Sequence, residues 1–146
     1  MLKYIIIIPS LLIGQIEKQI RNDDPSLYKN QRVYHAPPKP LYKARTHDLD
    51  FSTDIPTDSV KSAILFFKTD SMKYYQEFSL EGNYGLYRFR YDPKLYPGTR
   101  LKYYFVIQTE MDIHATPVEQ DGSLSPMDKL LIDPVQYFKQ QARLNK

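Results

Sequence analysis

The sequence predicts an all-β domain, a two-sheet sandwich, and three observations carry that reading. From about His35 to Asp133, apolar residues recur at a period of two, not at the helical period. The runs are short, spaced at about ten-residue intervals by Pro- and Gly-bearing turns. Thirteen Tyr and seven Phe, beside eleven Pro, five Gly and no Trp, suit aromatic-rich strands. A chain of 146 residues, 42% hydrophobic and 25% charged, supports one core and would be cramped with two.

The first segment, residues 1–14, has the outline of a secretory signal peptide: Lys3, the apolar stretch Tyr4 to Ile13, then Gly14 before polar Gln15. That stretch is about half the length needed to span a bilayer, and Pro9 interrupts it. Leu12 is a poor residue two positions before a cleavage site, so retention as an anchor stays open. A buried strand is the alternative for the run Ile5 to Ile8. Residues 15–34 follow as a polar spacer with a turn at Asn22-Asp23-Asp24-Pro25. His35-Ala36-Pro37-Pro38-Lys39-Pro40 then fixes an extended backbone suited to a domain boundary or sheet edge, and secondarily to an SH3-type partner.

The sandwich is expected over residues 35–133. A first strand is placed at Lys43 to Phe51, before a loop through Ser52 to Ser59. Val60 to Lys68 is apolar on both faces in its second half, as in a central strand. Tyr74 to Leu80 makes the next strand, and Glu81 to Gly85 turns tightly into Leu86 to Tyr91. There Tyr87, Phe89 and Tyr91 share one face, with Arg88 and Arg90 on the other as a solvated face with Glu77 as a pairing partner, and secondarily a polyanion contact. Leu101 to Gln108 follows, with Leu101, Tyr103, Phe105 and Ile107 inward. A last strand lies at Ile113 to Val118 or at Lys129 to Ile132, giving six or seven in all. Residues 134–146 read as a short terminal helix, with Asp133 as N-cap and Pro134 at its first position.

These core positions carry a resemblance. The pattern Val60, Ala63, Leu65, Phe67-Lys68-Thr69-Asp70, then Tyr75-Gln76-Glu77-Phe78 and Leu80, then Gly85, Tyr87, Phe89 and Tyr91, then Leu101-Lys102-Tyr103-Tyr104-Phe105-Val106, then Ala115-Thr116-Pro117, resembles immunoglobulin-like domains of the fibronectin type III kind in bacterial exported proteins. It covers roughly residues 35 to 118. The resemblance implies that Tyr103 points inward and Tyr104 outward, and it carries no catalytic motif. The chain departs from it at Glu110-Met111-Asp112, where a Gly-rich end is missing, and in the tail from Glu119 onward.

Several chemistries are disfavoured by the residues themselves. Without Cys there is no disulfide scaffold, thiol nucleophile, Cys-based zinc site or acylated lipoprotein terminus. His35, His47 and His114 do not fall at metal-ligand spacing, no nucleophile elbow surrounds any Ser, and the isolated glycines build no phosphate cradle. Turn acids such as Asp54, Asp58 and Asp70 offer neither a paired-carboxylate cleft nor an EF-hand loop. Twenty Lys and Arg against seventeen Asp and Glu, well interleaved, are no nucleic-acid footprint. No cofactor is implied.

What remains is the outer face of the central strands. If Ala63, Leu65 and Phe67 point inward, then Ile64, Phe66, Tyr104 and Val106 form an apolar outer face flanked by Lys68 and Lys102. Such a face needs a cover: the terminal helix with Tyr137 and Phe138, a partner protein, or a glycan stacked on the rings. The expectation is a secreted or periplasmic, non-enzymatic protein-interaction or structural module of the cell envelope. A carbohydrate-binding module is the alternative, and membrane contact arises only from an uncleaved residue 1–14 segment.

Overall fold

The computed structural model describes residues 31–146. The signal segment expected over 1–14 and residues 15–30 of the spacer lie outside the described residues. The fold is a sandwich of two antiparallel sheets. One sheet has the order β1 (Val33–His35), β2 (His47–Thr53), β6 (Leu86–Tyr91), β5 (Gly82–Asn83). The other runs β4 (Gln76–Ser79), β3 (Val60–Thr69), β7 (Arg100–Thr109), and then β8 (Ile113–Thr116) and β9 (Met127–Leu130), both on the far edge of β7. The helix α1 (Pro134–Leu144) closes the chain, its first turn capped by the Asp133 carboxylate, which accepts from Val135 N at 2.8 Å.

Period-two alternation explains the core. Leu49 and Phe51 of β2 and Tyr87, Phe89 and Tyr91 of β6 face Ala63, Leu65 and Phe67 of β3 and Leu101, Tyr103, Phe105 and Ile107 of β7, and all are buried. The rings interlock: Phe67 lies 5.2 Å from Phe89 and 5.8 Å from Tyr91, and Phe51 lies 4.6 Å from Phe105. The central pair is β3 and β7, in register from Val60 opposite Thr109 to Thr69 opposite Leu101, with one irregularity near Val60.

Three differences from the sequence reading have local causes. The first predicted strand begins at His47, not Lys43, because Ala44 sits at φ 59° and His47 Nε2 lies 3.0 Å from the Tyr42 amide, closing a turn. The predicted boundary at the Pro-rich segment runs through the fold. Val33 before it and Leu41 after it are both buried, and Leu41 O accepts from Ile132 N at 2.8 Å. The two positions for the last strand are both occupied, since ten-residue β7 has length for two four-residue partners: β8 pairs with Phe105 to Gln108, and β9 with Arg100 to Tyr103.

Two turns hold the strand ends. The Asp70 carboxylate accepts from Thr99 N at 2.7 Å, from Arg100 N at 3.2 Å and from the Thr99 hydroxyl, tying the end of β3 to the start of β7. Between β5 and β6, Tyr84 (φ 50°) and Gly85 (φ 78°) form a two-residue hairpin turn with both dihedrals in the left-handed region. A Cβ on Gly85 would sit 2.3 Å from the Thr53 carbonyl oxygen. Gly85→Ala is therefore expected to cost about 1–3 kcal/mol, from strain and from this clash. Urea denaturation checks it, and an unchanged midpoint would contradict the turn described.

Candidate interaction surface

The structure places the six expected site residues in two settings. Ile64, Phe66, Tyr104 and Val106 lie on the outer side of β3 and β7, but all four are buried, Phe66 and Tyr104 completely. Their rings stack at 4.7 Å, with Tyr75 edge-on to Tyr104 at 5.3 Å. Ala115 and Leu124 complete this second cluster, with Ile113 and Val118 packed against it. The chain itself thus covers the face expected to await a partner or glycan, and the terminal helix takes no part in that cluster. Between β8 and β9 the chain folds back through the bridge Val118 to Leu124 and the bonds Glu119 N to Ser123 O and Ser125 N to Pro117 O.

The other two, Lys68 and Lys102, are opposite each other across β3 and β7. Lys68 Nζ lies 5.0 Å from the Tyr75 ring centroid, and Lys102 Nζ is 3.9 Å from the Asp128 carboxylate, which also takes Arg100 Nε at 2.6 Å. Arg88 and Arg90 are not matched to Glu77, which belongs to the opposite sheet. Strand register sets Asp50 against Arg88 and Asp48 against Arg90. Arg88 makes a two-pronged contact with Asp50 at 2.7 and 2.9 Å, which holds the Asp50 carboxyl below its ordinary range, and Arg90 reaches Asp48 at 3.1 Å. The outer face of this sheet is thereby self-neutralised, which weakens it as a polyanion site.

The histidines sit apart, each held by its own surroundings. Among the described residues, no three of His, Asp and Glu converge as metal ligands would. His35 stacks on Phe51 at 4.3 Å, and its Nδ1 is 2.7 Å from the Asp50 carbonyl oxygen. A carbonyl only accepts, so Nδ1 carries the proton and Nε2 accepts from the Tyr103 hydroxyl, also at 2.7 Å. Desolvation lowers the His35 pKa from 6.5, partly offset by the Asp50 carbonyl and carboxylate, and pushes the Tyr103 phenol far up.

A different surface is open, at the end of the sandwich where Pro38 to Thr46 meets Lys129 to Ile132 and α1. A groove of about 370 Å³ is lined there by Pro38, Pro40, Leu41, Leu130, Ile132 and Tyr137, with Lys39 and Lys129 at its walls. Tyr42 packs against one lining residue, Tyr137, which meets it edge-on at 5.9 Å; Phe138 stacks on the Tyr42 ring at 6.2 Å, and the Arg45 guanidinium lies 5.0 Å from it. A neighbouring depression of about 600 Å³, with Ala44, Arg45, Asp92 and Lys94 among its lining, holds no aromatic ring.

Charge sets this end apart. Residues 38–46 carry Lys39, Lys43 and Arg45 and no acid, while residues 129–146 carry Lys129, Lys139, Arg143 and Lys146 against Asp133 alone. Seven cations less one acid leave +6 here against +3 for the whole chain, so the remaining residues net −3. The one acid caps the helix. Sequence reading passed over this surface because it took the Pro-rich segment bearing Lys39 for a domain boundary or sheet edge. The acid-free stretches were nonetheless visible at 38–46 and 134–146.

No protein-family model and no curated protein matches the chain. Among solved structures, it is similar to the endo-β-1,4-mannanase from Thermotoga petrophila, with a TM-score of 0.49 and 10% identity over 73% of this chain. The matched part spans 20% of the mannanase chain.

Two measurements follow. Phe66→Ala should lower stability by about 3–5 kcal/mol through loss of a buried ring, whereas a stability-neutral change in binding would show the face to be open. For His35, the folded pKa lies below the unfolded value, so the unfolded chain binds more protons and its contribution, complete above pH 6.5, is lost as pH falls below it. Melting temperature should fall from about pH 7.5 to about pH 5.5, above the main carboxylate range, and less steeply in His35→Gln. Part of the slope persists there because burial also lowers the His114 pKa. A flat wild-type profile would contradict the geometry.

Proposed function

We propose that the protein is a non-enzymatic interaction module of the cell envelope, holding a protein partner in the groove between Pro38–Leu41, Lys129–Ile132 and Tyr137. One observation carries this: an open apolar groove flanked by Lys39 and Lys129, whose ammonium groups form no ion pair or hydrogen bond among the described residues. Apolar walls give a partner side chain a dry seat, and unpaired ammonium groups at the rim select carboxylates and speed encounter. Export through residues 1–14 and an immunoglobulin-like domain of the fibronectin type III kind are the setting in which this reading places the module. The two-sheet architecture supports the second.

The carbohydrate alternative rests on exposed rings. Tyr34, Tyr74 and Tyr84 are all more than half exposed, but they stand on β1, on the β3–β4 connection and on the β5–β6 turn. Three separated positions make a poor stacking platform.

Cross-linking of the full chain to envelope extracts, with and without Lys39→Glu plus Lys129→Glu, tests the reading. A specific protein adduct should form with wild type and fall at least about tenfold in the double variant, as expected for reversing two rim charges. Retention on neutral polysaccharide without any protein adduct would instead favour the carbohydrate reading.

A further inference from the structure

We propose that α1 is an interfacial anchor, laying its Val135, Phe138 and Ala142 stripe into the headgroup region of an anionic bilayer while the neighbouring groove holds the protein partner. The inference rests on reading this end of the molecule as its working surface, and it names a second ligand there, a lipid surface.

The helix has the wrong burial for a structural element. None of its eleven residues is buried; Val135 and Phe138 are 61% and 58% exposed, and Leu144, on the opposite side of the helix, 77%. An isolated helix of this length is marginal in water and is ordinarily stabilised by packing its apolar face. Here the ring contacts with the sandwich are those of Tyr137, on another side of the helix, and of Phe138, at the edge of the apolar face, to Tyr42. At 100° per residue, Val135, Phe138 and Ala142 fall within one arc of about 60°, and Lys139 and Arg143 border it on one side. From Pro134 to Lys146 there is no acid.

That pattern, a short helix with an apolar stripe, a basic polar face and low net hydrophobicity, is the one that lies in a membrane interface. The long Lys and Arg stems can run along buried apolar surface while their charges reach lipid phosphates. Among the described residues no helix is long and apolar enough to cross a membrane, so α1 would lie on a bilayer. A lipid surface is favoured over a second protein because the stripe stands out from the fold on an unburied helix: insertion into headgroups needs no complementary shape. Lys43 and Arg45, on the segment bearing Tyr42, add to the positive potential beside it.

The test is co-sedimentation of the full chain with vesicles of phosphatidylcholine alone or mixed with phosphatidylglycerol, at limiting lipid. Any contribution of the apolar stretch Tyr4 to Ile13 is common to all the chains compared. Partitioning to the anionic vesicles should exceed that to neutral ones by at least about tenfold and weaken from about 50 mM to about 500 mM salt. It should drop at least about tenfold in Lys139→Glu plus Arg143→Glu, and severalfold in Val135→Ser. These side chains are exposed, so unchanged melting curves would confirm that the variants fold. Equal partitioning to both vesicle types, or anionic binding untouched by the variants, overturns the anchor. If vesicle binding fails while the protein adduct still depends on Lys39 and Lys129, the anchor falls and the interaction module stands. If that adduct is lost in the α1 variants, the helix belongs to the protein site and the anchor falls as well.

Discussion

Everything in this molecule depends on β3 and β7 being buried on both faces. A strand at a sandwich surface ordinarily buries alternate side chains and leaves the others in water. Here Leu65, Phe67, Tyr103 and Phe105 fill the space between the sheets, while Ile64, Phe66, Tyr104 and Val106 form a second apolar layer behind them. Two-sided burial forbids a one-residue slip, because either face would lose its ring stack. It also demands a third layer outside the two sheets. The chain supplies part of it by returning between β8 and β9, so the tail from Glu119 that departs from the immunoglobulin-like pattern contributes Leu124 to the second cluster.

The same constraint moves function to the margins. With the central strands sealed and the β2–β6 outer face neutralised by Asp50–Arg88 and Asp48–Arg90, uncompensated charge collects at the end where the Pro-rich segment meets α1. Tyr42 links that end to the fold. Its ring receives Arg45, Tyr137 and Phe138, and its backbone forms an isolated bridge with Ile132. A working surface on such a rim can vary without disturbing the core, as is usual where loops carry binding residues on a rigid scaffold.

The sequence made some of this legible and hid the rest for physical reasons. Alternation located Leu86–Tyr91 to the residue and the central strands to within one, because two-sided hydrophobicity and period two are local signals. The cap at Asp133 was equally local. What covers Phe66 and Tyr104 was not, since it depends on how a distant loop returns. Arg88 and Arg90 do form a solvated face, but their partner was misplaced for a related reason: a partner across a sheet is fixed by register, and Glu77 is nearer in the chain than Asp50 is. The strand at Val33–His35 escaped notice because three residues are too few for a period, and its hold on the fold comes from Val33 burial and from His35 reaching across to Tyr103.

The hairpin between β8 and β9 has one more implication. It leaves and rejoins the same edge of the same strand, and its tip is exposed at Glu119, Gln120 and Asp121, while Gly122 and Leu124 after them are buried. Because both anchor points are fixed by β7, lengthening the tip re-registers nothing, and the entropic penalty grows by only about 0.6 kcal/mol per doubling of loop length. The tip is thus a natural place for sequence to be inserted, by evolution or by a protein engineer, with the sandwich and its basic end left as they are.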